Sequence, residues 1–150
     1  STSDPKGVVV SHQNLVANAT GIFNALQPID LDTDSGVSWL PLYHDMGLMW
    51  VTVGVIFKPN VVFMSPINFI TRPQSWLETV DKYRASFTTS PNFGLGLAAK
   101  YCNYREAIDL SCLRAITCGS EAVNPKTVRR FIDAYRPHGL RKRGIKMATS

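Results

Sequence analysis

The stretch "GVSWLPLYHDMGLMWVTVGVIFKPNVVFM", residues 36–64, decides the fold class of this chain. It opens on a buried, strand-like run at residues 36–42 and continues through a predicted helix at residues 45–56. It returns to a β-branched run at residues 60–64. Two strands joined by a helix of ten or more residues are typical of parallel pairing with a crossover connection. The stretch therefore predicts an α/β fold.

Upstream of this unit, the sequence predicts one more strand and one more helix. The apolar run at residues 8–10 is expected to form a short strand. Ser11 follows as a candidate N-cap, because its hydroxyl can accept from an amide two or three residues later. Apolar residues then recur at helical spacing, which predicts an amphipathic helix over residues 12–26.

Downstream, helices and strands keep alternating. Thr71 is predicted to cap the next helix. The inner stripe of that helix is predicted to comprise Trp76, Leu77, Val80 and either Tyr83 or Arg84. Further strands are predicted at residues 85–90, 113–118 and 144–148, with helices at residues 92–102 and 124–135. The whole pattern predicts a mostly parallel sheet with helices on both faces.

Composition and charge narrow the class of protein. Hydrophobic residues make up 45% of the 150 residues and charged residues 18%, which is typical of a globular chain. Much of the net charge of +5 comes from residues 135–146, where a solvated connection after a helix is the simpler interpretation. No aromatic stacking pattern accompanies this run, so we expect no nucleic-acid partner, whereas an anionic substrate is consistent with it. The longest apolar run, residues 46–57, is too short to span a bilayer.

The three cysteines are not arranged as a metal site. Cys102, Cys112 and Cys118 are odd in number and lack Cys/His ligand spacing, so we expect buried free thiols in a reducing, cytoplasmic compartment. The chain begins in a polar loop and ends on a predicted strand. We therefore expect residues 1–150 to be an internal piece of a larger domain, truncated at both ends.

Three strand-associated loops carry the candidate chemistry. "STSDPKG", residues 1–7, offers hydroxyls and a lysine that can hold phosphate oxygens, although it does not fit the P-loop pattern. "LPLYHDMG", residues 40–47, places a histidine and an aspartate at a strand end, where ligands bind in open α/β sheets. "TCGSEAV", residues 117–123, is a turn of small residues that can expose backbone to a flat ligand.

Each loop taken alone has a simpler explanation. The first and third are consistent with ordinary polar turns. In the second, His44 and Asp45 are consistent with a pair that starts a helix. A catalytic pairing of these adjacent residues is disfavoured, and the chain has no GxSxG nucleophile elbow. The predicted topology nevertheless gathers all three loops at one edge of the sheet.

Together these stretches resemble the adenylate-forming superfamily and, within it, the fatty acyl-AMP ligases. The resemblance rests on "STSDPKGVVVSHQNL", "VSWLPLYHDMGL", "TTSPNFGLGL" and "LRAITCGSEAVNPKTVRRF", and it runs through the chain in the family's order. It implies part of the N-terminal domain of the adenylate-forming fold. It also implies a reaction in which a fatty acid carboxylate attacks the α-phosphorus of ATP, with Mg²⁺, to give acyl-adenylate and pyrophosphate. The acyl group would then pass to an acyl carrier protein in lipid or polyketide synthesis.

The resemblance also implies roles for individual residues. The residues expected to hold the β- and γ-phosphates are Ser1, Thr2, Ser3 and Lys6. His44 is expected where the carboxylate meets the α-phosphate, while Asp45 starts the helix. The residues expected near the acyl tunnel are Met46, Gly47 and Phe93. The residues expected to line the adenine pocket are Gly119, Ser120 and Glu121, with Ser120 standing where alanine is more usual.

Other parts of the family's site are expected outside residues 1–150. These are the residues before the phosphate loop, the magnesium-side glutamate, the ribose-binding aspartate and the C-terminal lid with its lysine. We therefore expect no adenylation by these 150 residues alone. An acyl-CoA ligase or an amino-acid adenylation domain stays open as an alternative enzyme. A non-catalytic acyl-AMP-ligase-like domain, kept for binding or scaffolding, stays open as an alternative of another class.

Overall fold

A computed structural model describes residues 7–103 and 107–141, together with the backbone of residues 145–147. The strands are β1 (Ser35–Ser38), β2 (Asn60–Phe63), β3 (Phe87–Thr89), β4 (Ala115–Cys118) and β5 (Ile145–Met147). They form one sheet in the order β2-β1-β3-β4-β5, and all four pairings are parallel. The predicted α/β class and the parallel sheet are confirmed.

The described residues form six α-helices, of which the first precedes β1 and the other five lie between strands. They are α1 (His12–Ala25), α2 (Asp45–Phe57), α3 (Pro66–Thr71), α4 (Gln74–Lys82), α5 (Asn92–Lys100) and α6 (Pro125–Tyr135), followed by a 3₁₀ turn at Arg136–His138. The start of α1 is the predicted one, since Ser11 and Asn14 form a capping box. Within it, the Asn14 N–H donates to Ser11 Oγ over 3.2 Å, and the Ser11 N–H donates to Asn14 Oδ1 over 2.9 Å.

The two faces of the sheet carry cores of different size. On one face, α4, α5 and α6 bury a large cluster in which Trp76, Phe131 and Tyr135 are prominent. Trp76 Nε1 donates to Thr88 Oγ1 over 2.8 Å, so the indole is fixed on β3. On the other face, α1 and α2 cover a smaller cluster around Leu26, Phe87 and Ala115. The smaller core leaves room for a cleft.

Two local predictions are wrong. Residues 8–10 are not a strand: Val9 is 98% exposed, and β-branched residues do not form a strand without a neighbour to pair with. Thr71 does not cap a helix but is the last residue of α3, a helix that was not predicted. This helix has Ser65 as its N-cap and Pro66 at its first position, where proline is favoured. The following helix, α4, has Pro73 as its N-cap, without a side-chain hydrogen bond.

The inner stripe of α4 is shorter than predicted. Trp76, Leu77 and Val80 are buried as expected, whereas Tyr83 and Arg84 are exposed. Arg84 lies beyond the end of the helix in a left-handed conformation, with φ of 50°. This conformation turns its guanidinium outward to carboxylates, among them Asp81 at 2.9 Å.

The remaining structural expectations are met in part. Cys102, Cys112 and Cys118 are free thiols, but only Cys118 is fully buried, the other two being half-buried. Among the helices that the structure describes, none combines the length and apolar character needed to cross a membrane.

Candidate functional site

A cleft of about 630 Å³ opens at the carboxyl ends of β3 and β4. We call it the α1–α2 cleft, because those two helices form its walls. The apolar wall residues include Leu15 and Ile22 from α1 and its C-cap Leu26, with Met46, Met49, Trp50 and Val53 from α2. Thr89, Thr117, Gly119 and Ser120 line it at the ends of the two strands. Parallel strands place these loop residues at one edge, which is where open α/β sheets bind ligands.

His44 occupies the N-cap of α2. Its Nδ1 accepts a hydrogen bond from the Met46 N–H over 3.3 Å and also lies 2.8 Å from Asp45 Oδ1. To accept from the Met46 N–H, Nδ1 must carry a lone pair, whereas to donate to Asp45 Oδ1 it must carry a proton. Nδ1 can therefore make only one of these two hydrogen bonds at a time. The side chain is 46% exposed and therefore accessible to a ligand at the helix start.

The division of roles expected for His44 and Asp45 needs correction. The capping position belongs to His44, whose backbone is extended, whereas Asp45 is already the first residue of α2. Asp45 Oδ1 also accepts from the Met46 N–H, over 2.6 Å. Asp45 lines the α1–α2 cleft and His44 does not. The reason is that the first helical turn directs residue 45 toward the wall that residues 46, 49 and 50 share.

Of the three residues expected near the acyl tunnel, only Met46 lines the cleft. Gly47 is buried against the exit of β1, where a Cβ atom would lie 2.1 Å from the Pro41 carbonyl oxygen. Its role is thus to permit close packing of backbone on backbone. Phe93, on α5, is 50% exposed and packs edge-on to Trp39 with ring centroids 6.0 Å apart.

The turn after β4 is anchored to the start of α5. Gly119 and Ser120 line the cleft, and Ser120 has φ of 65°, a conformation uncommon outside glycine. Glu121 turns the other way, and its Oε1 accepts from the Phe93 N–H over 2.7 Å. Two of the three expected adenine-pocket residues therefore face the cleft, while the third holds the turn in place.

The phosphate-loop residues Ser1, Thr2, Ser3 and Lys6 lie outside the described residues, so their role stays a prediction. Among the residues that the structure does describe, no group of three or more His, Cys, Asp or Glu side chains could hold a metal ion. The hydroxyl of Thr89 is also engaged, since it donates to the Thr117 carbonyl over 3.1 Å. These residues by themselves do not fit a magnesium site.

Several wall residues were missed by the sequence analysis. Met49, Trp50 and Val53 line the cleft together with Met46. Positions 46, 49, 50 and 53 follow the i, i+3, i+4, i+7 spacing of one helix face. The spacing was therefore visible in the sequence. Because α2 is apolar on most sides, however, no polar face distinguished the face that lines the cleft.

The sequence pattern of the AMP-binding enzyme family matches residues 1–141 of the chain. The chain belongs to the AMP-binding enzyme family. The chain is 37% identical, over 97% of its length, to a 4-hydroxyphenylalkanoate adenylyltransferase of Mycobacterium marinum. It is also 37% identical to a long-chain-fatty-acid–AMP ligase of Mycobacterium bovis, again over 97% of its length. It spans 24% and 26% of these two proteins, about a quarter of each.

Solved structures also match the chain. It is similar to the fatty acyl-adenylate ligase of Legionella pneumophila in complex with acyl adenylate and pyrophosphate, with a TM-score of 0.88 and 35% identity. That match covers 94% of this chain and 25% of the other. It is similar as well to the adenylation domain of a keto acid-selecting module bound to keto acyl adenylate, with a TM-score of 0.83, 34% identity and coverage of 89% and 25%. The expected fold, part of the N-terminal domain of adenylate-forming enzymes, is confirmed.

Proposed function

We propose that the full-length protein activates a fatty acid as its acyl-adenylate. One carboxylate oxygen of the acid attacks the α-phosphorus of ATP, and the bond from that phosphorus to the β-phosphate bridge breaks, which releases pyrophosphate. The observation that carries this proposal is the α1–α2 cleft itself, an apolar space that opens at the carboxyl ends of β3 and β4. An alkyl chain suits its Met- and Trp-lined walls, and a nucleotide suits its loop end.

The chain's own residues divide into two groups in this proposal. Met46, Met49 and Trp50 bury the alkyl chain, where each methylene contributes about 0.8 kcal/mol. Gly119 and Ser120 present a low, flat surface to the adenine. The rate then depends on holding the carboxylate in line with the α-phosphorus, not on a covalent intermediate with a side chain.

Stabilisation of the negative charge at the reacting centre is proposed for His44 and the phosphate loop. His44 stands at the N-terminus of α2, where the helix dipole favours anions. Ser1, Thr2, Ser3 and Lys6 are proposed to hold the β- and γ-phosphates through hydroxyl donors and one ammonium. Mg²⁺, if bound with the nucleotide, would be held by groups other than the described residues and would supply neutralisation of phosphate charge.

We further propose that the acyl group is transferred to the thiol of an acyl carrier protein, in lipid or polyketide synthesis in the cytoplasm. Support comes from the similarity to fatty acid–AMP ligases and to the adenylation domain of a keto acid-selecting module. The amino-acid and acyl-CoA alternatives make different products from the same adenylate chemistry, so the acid and the acceptor must both be tested.

The test is ATP–pyrophosphate exchange by the full-length protein with each candidate acid in turn. We expect exchange with long-chain fatty acids and at most weak exchange with phenylalanine. A 4-hydroxyphenylalkanoate is included because a relative of equal identity is named for it. Exchange with phenylalanine alone would replace the proposal with amino-acid adenylation, and no exchange with any acid would favour a non-catalytic domain. Supplying coenzyme A or a carrier protein then identifies the acceptor.

A further inference from the structure

A second, smaller cavity of about 30 Å³ lies behind the α1–α2 cleft, and we call it the rear cavity. The two spaces share three lining residues, Leu26, Trp50 and Val53. Trp50 is the largest of the three, and its ring, packed over Gly36, borders both spaces. The rear cavity continues the direction of the cleft, away from the carboxyl ends of the strands and toward the start of β1 at Ser35 and Gly36.

The position of the Trp50 ring is set by a glycine beneath it. A Cβ atom at Gly36 would lie 2.2 Å from the outer edge of the Trp50 ring, far inside contact distance. The ring can rest on β1 only because residue 36 has no side chain. Gly36 also pairs with Phe87 of β3, so the strand beneath the ring is fixed in the sheet.

The rear cavity has the chemistry of an alkyl site. Phe23, Ile29, Val61 and Phe87 contribute its apolar surface. Asp34 also borders it, but its carboxylate accepts from the Ser86 hydroxyl and is paired with Arg114. Beyond the Trp50 ring, the rear cavity would therefore accept a methylene chain and not a polar group.

We propose that Trp50, seated on Gly36, is the floor of the acyl cleft and determines the longest chain that the site accepts. This inference rests on the proposed function, because it assigns a specificity role within that same site. It makes two opposite predictions for two single substitutions.

Trp50→Ala removes this floor and joins the cleft to the rear cavity, so longer chains gain buried methylenes. Each methylene newly accommodated should raise kcat/KM by about fourfold, and the preferred length should increase. Gly36→Ala should have the reverse effect, because its methyl group displaces the far end of the Trp50 side chain into the cleft. Trp50→Phe, which keeps a ring of smaller size, should fall between wild type and Trp50→Ala. Val55→Ala, at a 71% exposed position of the same helix, is the matched control and should change nothing.

The experiment measures pyrophosphate release by the full-length protein across saturated fatty acids of graded length. In parallel, displacement of a fluorescent fatty acid measures binding without turnover, and thermal unfolding confirms that each variant is folded. A shift to longer chains in Trp50→Ala and to shorter chains in Gly36→Ala supports the floor assignment. Folded variants with the wild-type length profile in both assays would overturn it while leaving the proposed function intact.

Failure of the proposed function gives a different result. In that case wild type releases no pyrophosphate with any fatty acid, whatever the variants do. The displacement assay still decides the floor assignment, since it needs only binding: absence of any fatty-acid displacement by wild type would overturn it as well. If Trp50→Ala does not fold, Trp50→Leu and Gly36→Ala test the same floor from its two sides.

Discussion

At the scale of single residues, His44 illustrates how one side chain can serve the fold and the site together. Its Nδ1 caps α2 through the Met46 N–H, while the remainder of a 46% exposed imidazole is available to a ligand. Substitution by alanine removes both functions, so it cannot separate them. Asparagine is a strong N-cap residue and lacks the imidazole, so it retains one function and removes the other.

We therefore predict that His44→Ala and His44→Asn both lower acyl-adenylate formation by more than about tenfold, whereas only His44→Ala loses about 1 kcal/mol of stability. Hydroxamate trapping of the adenylate measures the first quantity, and thermal unfolding of the full-length protein measures the second. Near-wild-type turnover in His44→Asn would show that the capping bond alone matters at this position.

The glycines of α2 give a second prediction at the residue scale. Gly47→Ala should destabilise the protein by about 1–3 kcal/mol, because its methyl group would meet the Pro41 carbonyl oxygen, a backbone atom that cannot move aside alone. Gly54→Ala is the matched control in the same helix. A Cβ atom at residue 54 would lie 3.8 Å from its nearest neighbour, on Val61, so no clash opposes it. The higher helix propensity of alanine should therefore stabilise the protein by up to about 1 kcal/mol. Unfolding midpoints of the two variants should move in opposite directions.

At the scale of elements, one carboxylate joins the loop before β1 to the residues directly before β3 and β4. Asp34 is 6% exposed; its Oδ1 accepts from the Ser86 hydroxyl over 2.6 Å, and its Oδ2 pairs with Arg114. Arg114 also donates to the Pro28 carbonyl. Burial opposes ionisation of Asp34, but the Ser86 hydroxyl, the Asp30 N–H and Arg114 together outweigh it, so the pKa of Asp34 lies below its usual value.

This lowered pKa has a definite sign for stability. A carboxylate whose pKa is lower in the folded state stabilises that state above its unfolded pKa and loses this effect as the pH falls through the folded value. We predict that wild-type thermal stability declines as the pH falls below about 4 and that Asp34→Asn, already weakened by about 2 kcal/mol at neutral pH, declines less. Asp32→Asn, at an exposed position of the same loop, should keep the wild-type profile. Parallel profiles for Asp34→Asn and wild type would contradict the role assigned to Asp34.

Elements with local signals were predictable, and those decided by distant contacts were not. Ser11 at α1 and Asn124 at α6 are caps whose side chains do bond the first turn, and both helices begin where the sequence placed them. Residues 8–10 have strong β propensity but pair with no strand in the part of the chain that the structure describes, which only the tertiary structure reveals. In the site, residues 45–46 and 119–120 from two of the predicted loops line the cleft, but the sequence could not show that Glu121 turns to the Phe93 N–H or that Gly47 packs on Pro41.

At the scale of the whole molecule, the candidate site is built from two parts of the chain that are distant in sequence and that the sheet brings together. The cleft walls come from α1 and α2, whereas the turn at residues 119–121 comes after β4 and is tied to α5. Cys118 lies at the end of β4, directly before this turn, and is fully buried. Burial, with a contribution from the charge of Glu121, raises the pKa of the Cys118 thiol to about 11.

We predict that Cys118 is alkylated much more slowly than Cys102 or Cys112 in the folded full-length protein. The thiolate is the reactive form, and both its scarcity near pH 8 and the burial of Cys118 limit attack until the sheet opens. Iodoacetamide labelling followed by peptide mass spectrometry measures the three rates separately. Labelling in denaturant should make them similar, and rapid labelling of Cys118 without denaturant would contradict its placement in a stable sheet.

The contact between Gly36 and Trp50 has an evolutionary consequence. The residue that supports the floor is not itself part of the wall of the larger cleft, so selectivity can change while every wall side chain stays the same. A glycine codon becomes an alanine codon by one nucleotide change, and the substitution adds a single methyl group. Relatives with the same wall residues can thus diverge in the acids they use, and the position that distinguishes them would be sought in the strand beneath the helix.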